Sequence, residues 1–364
     1  MNFLSKYIIG LAYLVAFFAI SFYIASFTVQ TDFPVFYSTA KTVIENGIFT
    51  DRIYDIDENN KYAMPEHNKN LFFIYSKPAA ILLSPLGFLP YHTAKSVLIF
   101  LNILCYLFGI HFILNLTNIK DNIKYLFWGA SFFYMPFIQV LRLSQVDGIL
   151  FFFIAAGLWF CIKNKPWAAG FCLAIAAFFK IFPIAIAFAL GIKNRKILYI
   201  TLLVFFTSFL IPNSYLWFSS IPGINEKAFS PIYLYFYSKG IWLYLIYFLT
   251  IATITAFFVL FNKEIHYFRT ISLVIPGLFL VTPLVEYQHL TICAISLICA
   301  FDILKNNYFS PLFYIIVLSV ILISSSIFIE NEHIKFLGIF LIWSIHVYTL
   351  LPANFPIFTY RRIH

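Results

Sequence analysis

Charge is scarce in this sequence: only 11% of its 364 residues are Asp, Glu, Lys or Arg, against roughly a quarter in an average soluble domain. With 62% of the chain hydrophobic, a soluble core could not bury the apolar surface that would result. Motifs of soluble chemistry are missing as well. No GxGxxG, GxxxxGK[ST], HExxH or GxSxG occurs, which excludes the familiar nucleotide-binding loops, zinc-protease helices and hydrolase elbows. The five cysteines (Cys105, Cys161, Cys172, Cys293, Cys299) lie inside apolar stretches and show neither CxxC nor Cys/His spacing. They read as small core residues, and neither a metal site nor a resident cofactor is expected. The net charge of +9 comes from Lys and Arg scattered at segment ends rather than gathered in a patch, so no nucleic-acid partner is expected. Internal repeats are absent too, which weighs against an inverted-repeat transporter.

What the sequence has is apolar runs of the length that crosses a bilayer, about 20 residues for a hydrocarbon layer of roughly 30 Å. The expected fold is all-α: a polytopic transmembrane bundle of about ten spans plus one re-entrant helical hairpin, forming a single domain over residues 1–364. Spans are expected at Lys6–Thr28, Ala94–Leu116, Tyr125–Arg142, Val146–Ile162, Ile197–Phe218, Gly240–Phe261, Thr270–Val285, Leu290–Leu304, Phe309–Phe328 and Phe336–Pro352. The apolar run of the first exceeds a signal-peptide core, so it is taken as a retained helix.

Orientation follows from the tendency of short cytoplasmic loops to collect Lys and Arg. The apolar segment Trp167–Ile192 has Lys163 and Lys165 before it and Lys193, Arg195 and Lys196 after it, so both flanks look cytoplasmic. A break at Lys180-Ile-Phe-Pro183, where proline removes a helix hydrogen bond, lets the segment enter and return as two arms. With that one choice both termini fall inside, and the inner side collects thirteen Lys/Arg against three acids (Asp121, Glu264, Asp302). Residues 29–93 then form an external loop, and residues 94–364 the rest of the bundle. Within the loop, Pro34 to Glu45 is amphipathic and stops at Asn46-Gly47, while Phe72 to Leu89 is apolar but too short and Pro-punctuated to span. Both are expected as helices lying in the outer interface.

Several polar residues stand out against this background. Asp32 precedes the amphipathic segment, where it is either an N-cap before an early proline or a carboxylate poised at the membrane face as a general base. Lys180 places an ammonium beside a helix break inside an apolar run, which is costly and tends to mark function. It is a candidate phosphate partner. His289, in Glu286-Tyr287-Gln288-His289, and the turn holding Arg142, Gln145 and Asp147 fall on the outer side. The bland reading there is that Arg142 and Asp147 pair with each other or anchor the helix ends. Tyr75 and Lys77 are ambiguous, since Tyr enriches at interfaces whatever the function.

Taken in order, these residues resemble a family. Asp32-Phe33-Pro34-Val35-Phe36-Tyr37-Ser38-Thr39-Ala40 resembles the DFxVYYxAA opening of glycosyltransferase family 87, and Phe73 to Pro90 resembles its FxYPPxxALLxxPLxxLP. Gln145-Val146-Asp147-Gly148-Ile149-Leu150 resembles GQxNxLL, Ala169-Gly170 to Lys180-Ile181-Phe182-Pro183 resembles AGxxxGxAxxxKxxP, and Thr282-Pro283 to His289 resembles SPxSWxHH. Ser76 and Lys77 stand where the family has Pro-Pro, Ser144 stands for the glycine before the glutamine, Asp147 stands for Asn, and one histidine of the pair remains.

The resemblance implies a C-type membrane-embedded glycosyltransferase fold. It also implies transfer of a hexose, expected to be mannose, from a polyprenyl-phosphate donor to a lipid or glycan hydroxyl. Asp32 matches the family's catalytic acid. Lys180, His289, Gln145 and Arg142 are then expected at the donor phosphate, and Tyr37, Tyr75, Lys77, Asp147 and Glu286 at the substrates. The expected place is a bacterial inner (plasma) membrane, in contact with its lipids, with the active site facing outward. Two rivals come from other classes: a lipid-linked sugar flippase, which predicts repeats and a charged path through both leaflets, and a polysaccharide polymerase or ligase, which predicts paired arginines in a large late external loop.

Overall fold

The computed structural model describes residues 32–62, 73–216, 239–261, 266–282, 286–304, 311–329 and 332–351, together with Val15 and Ala19. Apart from Val15 and Ala19, the expected first span Lys6–Thr28 lies outside the described residues, as do the chain ends and nearly all of the loop Ser219–Lys239. Every regular element among the described residues is helical. The chain gathers into two compact units, one of residues 1–228 with 285–292 and one of residues 229–284 with 293–364.

In the first unit, α1 (Phe33–Asn46) starts with proline in its first turn and stops at Gly47, whose φ of 88° lies in the left-handed region that a side chain disfavours. The apolar face expected from the sequence is buried through Phe33, Phe36, Ala40 and Val43. The opposite side is not open to water, however, because Ser38, Thr39 and Thr42 are buried too. Burial therefore extends beyond the apolar face, while Val35, Lys41 and Ile44 are half-buried and Glu45 and Asn46 are exposed.

The acidic stretch after it folds as a 3-10 turn (Arg52–Tyr54) and a short helix α2 (Ile56–Asn60), whose N-cap Asp55 accepts from the Asp57 N–H at 2.9 Å. Ser76 caps α3 (Lys77–Leu83), and the chain runs on through a 3-10 turn (Ser84–Phe88). There Gly87 lies so close to the α1 backbone that a Cβ would stand 2.8 Å from the Ala40 carbonyl carbon.

Helix α4 (Tyr91–Asn115) has 25 residues, or about 37 Å at 1.5 Å per residue. The span expected at Tyr125–Arg142 is two helices, α5 (Asp121–Ser131) and α6 (Met135–Leu143), divided just before Pro136. Helix α7 (Asp147–Ile162) begins one residue inside its expected start.

Where the re-entrant hairpin is expected, the chain forms two helices, α8 (Pro166–Phe179) and α9 (Pro183–Gly191), with Lys180–Phe182 between them. Contacts with α10 (Arg195–Thr207) fix the direction of both arms. Thr201 donates to the Gly170 carbonyl at 3.1 Å, and the Phe178 ring stacks on Phe205. So α8 and α10 run in the same direction, start beside start and end beside end. Gly191, at the end of α9, abuts Leu198 near the start of α10. The chain thus enters along α8 and returns along α9 to the end where α8 began. Helix α10 is shorter than the expected span and closes in a 3-10 turn (Ser208–Leu210) before Pro212.

The second unit holds α11 (Ile241–Phe261), α12 (Tyr267–Val281), α13 (Cys293–Leu304), α14 (Pro311–Ile329) and α15 (Glu332–Leu350). The last carbonyls of a helix lack intrahelical partners, and here Tyr244 and Tyr247 of α11 donate to those of Val281 and Leu280 at 2.6 and 3.1 Å. Trp343 donates to Thr255 at 3.1 Å beside Gly277. On α11, Trp242, Ile246, Leu249 and Phe257 are exposed, the pattern of a helix facing lipid.

By length and composition, five stretches among the described residues can cross a membrane: Tyr91–Asn115, Ile123–Leu143, Ile241–Phe261, Tyr287–Leu304 and His333–Leu350. Asp147–Ile162, Pro166–Phe179, Tyr267–Val281 and Pro311–Ser326 are shorter apolar helices. This is a helical membrane bundle. All five cysteines are free thiols, four of them buried.

Candidate functional site

The first unit brings Asp32, Tyr75, Gln145, Asp147, Lys180 and Glu286 into one cluster. Asp32 occupies the N-cap position of α1, yet its side chain accepts no capping hydrogen bond. Its backbone instead ties two segments together: the N–H donates to the Leu143 carbonyl at 2.9 Å, and the carbonyl accepts from Val35 at 3.1 Å. The carboxylate is left for Gln145, whose Nε2 donates to Oδ2 at 2.6 Å.

Burial and the Glu286 carboxylate push the Asp32 carboxyl up to about 6, against the opposing pull of Gln145 and Lys180. A carboxyl at that value is ionised near neutral pH and still basic enough to take a proton.

Gln145 reaches Asp32 because the chain turns sharply before it. Ser144, the C-cap of α6, adopts φ 53° and ψ 44°, the left-handed conformation. This is the position where the sequence has serine in place of glycine, and L-residues adopt that conformation at a cost. The turn brings Tyr75 and Asp32 to opposite ends of one amide: Tyr75 Oη donates to Gln145 Oε1 at 3.1 Å. Burial, followed by the charges of Asp147, Asp32 and Glu286, holds the Tyr75 phenol well above its ordinary value, so it stays a donor.

Asp147 opens α7 with its side chain fully buried, and Lys180 Nζ donates to its two oxygens at 3.0 and 3.1 Å. The Arg142–Asp147 pair considered from the sequence is not formed: the partner of Asp147 is Lys180, and Arg142 is exposed at the end of α6. The sequence gives no local signal for this pairing, because Lys180 reaches Asp147 only from the tip of the hairpin. Two bonds leave one N–H of Lys180 without a partner among the described residues.

Residues not singled out by sequence hold this arrangement. Asn102, buried within α4, accepts from the Gly148 and Ile149 N–H groups at 3.0 and 3.4 Å and so caps α7 in place of Val146. An amide inside an apolar run was its available signal. Ser76 Oγ donates to the Phe178 carbonyl at 2.6 Å and secures the hairpin near its tip.

Glu286 and His289 fold back on each other. The Glu286 N–H donates to His289 Nδ1 at 3.2 Å, which leaves the proton for Nε2, 3.4 Å from the Glu286 carboxylate. Gln288 donates to the same carboxylate at 2.6 Å.

Two expected substrate contacts lie elsewhere. Tyr37 is buried among Phe33 and Tyr91 and donates to the Leu89 carbonyl at 3.1 Å. Lys77 is buried, with its ammonium donating to Asp51 and to the Phe49 and Pro212 carbonyls. Asp51 also accepts from Asn213. Burial alone would raise the Asp51 carboxyl, but the hydrogen bonds from Lys77 and Asn213 hold it below its ordinary value. All three donors of Lys77 are used in strapping the segment that holds Phe49 and Asp51 to the turn after α10. Among the described residues no group of three or more His, Cys, Asp or Glu is arranged to hold a metal ion.

A family model described as glycosyltransferase family 87 matches residues 73–224. The match takes in Tyr75, Lys77, Arg142, Gln145, Asp147 and Lys180, while Asp32, Tyr37, Glu286 and His289 fall outside it. No curated protein and no solved structure matches the chain.

Proposed function

We propose that this chain, whose residues 73–224 match the model of glycosyltransferase family 87, is a membrane glycosyltransferase that transfers a hexose, most simply mannose, from a polyprenyl phosphate to a lipid or glycan hydroxyl, with Asp32 as general base. The observation that carries this reading is the state of the Asp32 carboxylate. It is withheld from capping α1, held by Gln145, and raised to about 6 beside Lys180.

In the reaction the acceptor hydroxyl gives its proton to Asp32 as its oxygen bonds to the anomeric carbon. The bond from that carbon to the phosphate oxygen breaks, and polyprenyl phosphate leaves with the electron pair. The phosphate is a stable anion and needs no acid, so one carboxylate is enough. Hydrolytic enzymes that expel an alkoxide need a pair. A positioned base of this kind is worth about 10²–10⁴ in rate. The remaining N–H of Lys180 is suited to the donor phosphate, in surroundings of low dielectric where a cation counts most. The lipid tail would stay among the helices while the reacting carbon meets Asp32.

The test is donor consumption by purified protein offered a panel of polyprenyl-phosphate hexoses. Asp32→Asn is expected to abolish transfer while the protein remains folded by size exclusion. Near wild-type transfer by Asp32→Asn would return the residue to a purely structural part. Failure with every donor, together with movement of lipid-linked sugar across vesicle membranes, would favour a flippase.

A further inference from the structure

Tyr75 cannot touch a substrate in this structure: it is 6% exposed, and its ring is wedged between Phe36 and Phe73, with centroids 5.4 Å away on each side. Its hydroxyl nevertheless spends its donor on Gln145 Oε1, and that choice has a consequence for Asp32. A glutamine amide has two ends of similar shape and opposite polarity, an acceptor oxygen and a donor nitrogen. Facing a carboxylate with its oxygen, Gln145 would repel it, while facing it with Nε2 it supplies a charge-assisted hydrogen bond. The phenol, kept protonated, spends its donor on Oε1, and that bond favours the orientation in which Nε2 meets Asp32.

We propose that Tyr75 is a positioning residue for Asp32, acting through Gln145: it steadies the amide so that Oδ2 of the base is held and Oδ1, which has no hydrogen-bond partner among the described residues, is offered to the acceptor proton. This rests on the reading of Asp32 as the base. The left-handed turn at Ser144 and the bond from the Asp32 N–H to Leu143 complete the positioning element, since they fix backbone to backbone what Gln145 fixes side chain to side chain. The charged groups bearing on Asp32 are Glu286 and Asp147, which oppose its ionisation, and Lys180, which favours it. His289 bears on it through Glu286. Tyr75→Phe alters none of these charges and keeps the ring packing.

The experiment measures consumption of radiolabelled polyprenyl-phosphate mannose by the full chain across pH. Loss of an outer partner that orients a reacting group commonly costs 10–100-fold. Tyr75→Phe is accordingly expected to lower kcat by about 10-fold or more, with the donor KM within about twofold of wild type. The hydrogen bond from Gln145 favours ionised Asp32, and the base must be ionised to act. Loosening that bond therefore moves the acid limb of kcat/KM to higher pH.

Gln145→Leu is expected to reproduce both effects. The double variant with Tyr75→Phe is expected to be no worse than Gln145→Leu alone, the non-additivity of residues acting in series. If Tyr75→Phe is not recovered folded, Gln145→Asn, too short to reach Asp32 and Tyr75 together, carries the same kcat and pH readouts. An unmoved acid limb with wild-type kcat, a change confined to KM, or additive losses would each overturn the positioning role. An active Asp32→Asn would instead remove the base itself, so the two failures are distinguishable.

Discussion

Burial and the neighbouring Glu286 carboxylate raise the Asp32 carboxyl from 3.8 to about 6, so between those values the folded chain holds a proton that the unfolded chain has released. Linkage then gives the sign: the ionised form is disfavoured by folding, and stability falls as pH rises through this window. At pH 7 the penalty is on the order of 2–3 kcal/mol. Asp32→Asn, which keeps an acceptor for Gln145, is expected to raise the melting temperature in detergent at pH 7, with the gain disappearing near pH 4. A lower melting temperature at pH 7 would mean that the carboxylate stabilises the fold. Stability gained where activity is lost is the behaviour of a site shaped for chemistry.

At this scale the sequence shows which polar residues gather around Asp32 better than it shows their partners. Asp32, Gln145, Asp147 and Lys180 each stood out as polar groups at apolar boundaries. Lys77 stood out equally, yet its ammonium is consumed by Asp51 and two carbonyls, partners that no local spacing reveals.

Elements join the site at two tight points, each open to a substitution. At Ser144 the left-handed backbone disfavours any side chain by about 1–2 kcal/mol, partly offset by the chain entropy that glycine loses on folding, about 0.5–1 kcal/mol. Ser144→Gly is thus expected to stabilise the protein by roughly 0.5–1 kcal/mol, read as a rise in melting temperature, and a fall would show that the serine contributes a contact worth more than the strain. At Gly170 an added Cβ would come within 2.7 Å of the Ile197 carbonyl oxygen and 2.8 Å of Ile200 Cβ, whereas one at Gly129 meets nothing within 4 Å. Gly170→Ala is expected to cost about 1–3 kcal/mol by forcing α8 away from α10. Gly129→Ala, on α5, is expected to gain about 0.5–1 kcal/mol from helix propensity. Equal melting temperatures for the two variants would contradict the close approach of α8 and α10.

The hairpin break was legible because proline and a charge interrupt one apolar run. The burial of α1 beyond its apolar face was not, since Ser38, Thr39 and Thr42 look like a solvent face and are buried instead. Likewise, Pro136 admits either a kinked span or two helices, and only packing decides between them.

For the whole molecule, the most consequential feature is that α8 and α9 begin and end at the same level, beside the start of α10. An odd or even number of crossings in this stretch decides the side on which every later loop lies, and the Lys and Arg on both flanks favour the returning path. Single cysteines placed at Lys165 and Lys193, in a protein whose five native cysteines are replaced, are expected to be labelled together by a membrane-impermeant maleimide applied from the cytoplasmic side. A cysteine at Asp57, in the segment that the charge distribution predicts to be external, is expected to be labelled only from the opposite side. Were Lys165 and Lys193 labelled from different sides, the segment would be a full crossing. The tip carrying Lys180 would then lie within a span rather than at the end of a hairpin. Common labelling of the two flanks instead sets the Lys180–Asp147 pair at the end of the hairpin away from them, the end at which the proposed donor would meet Asp32.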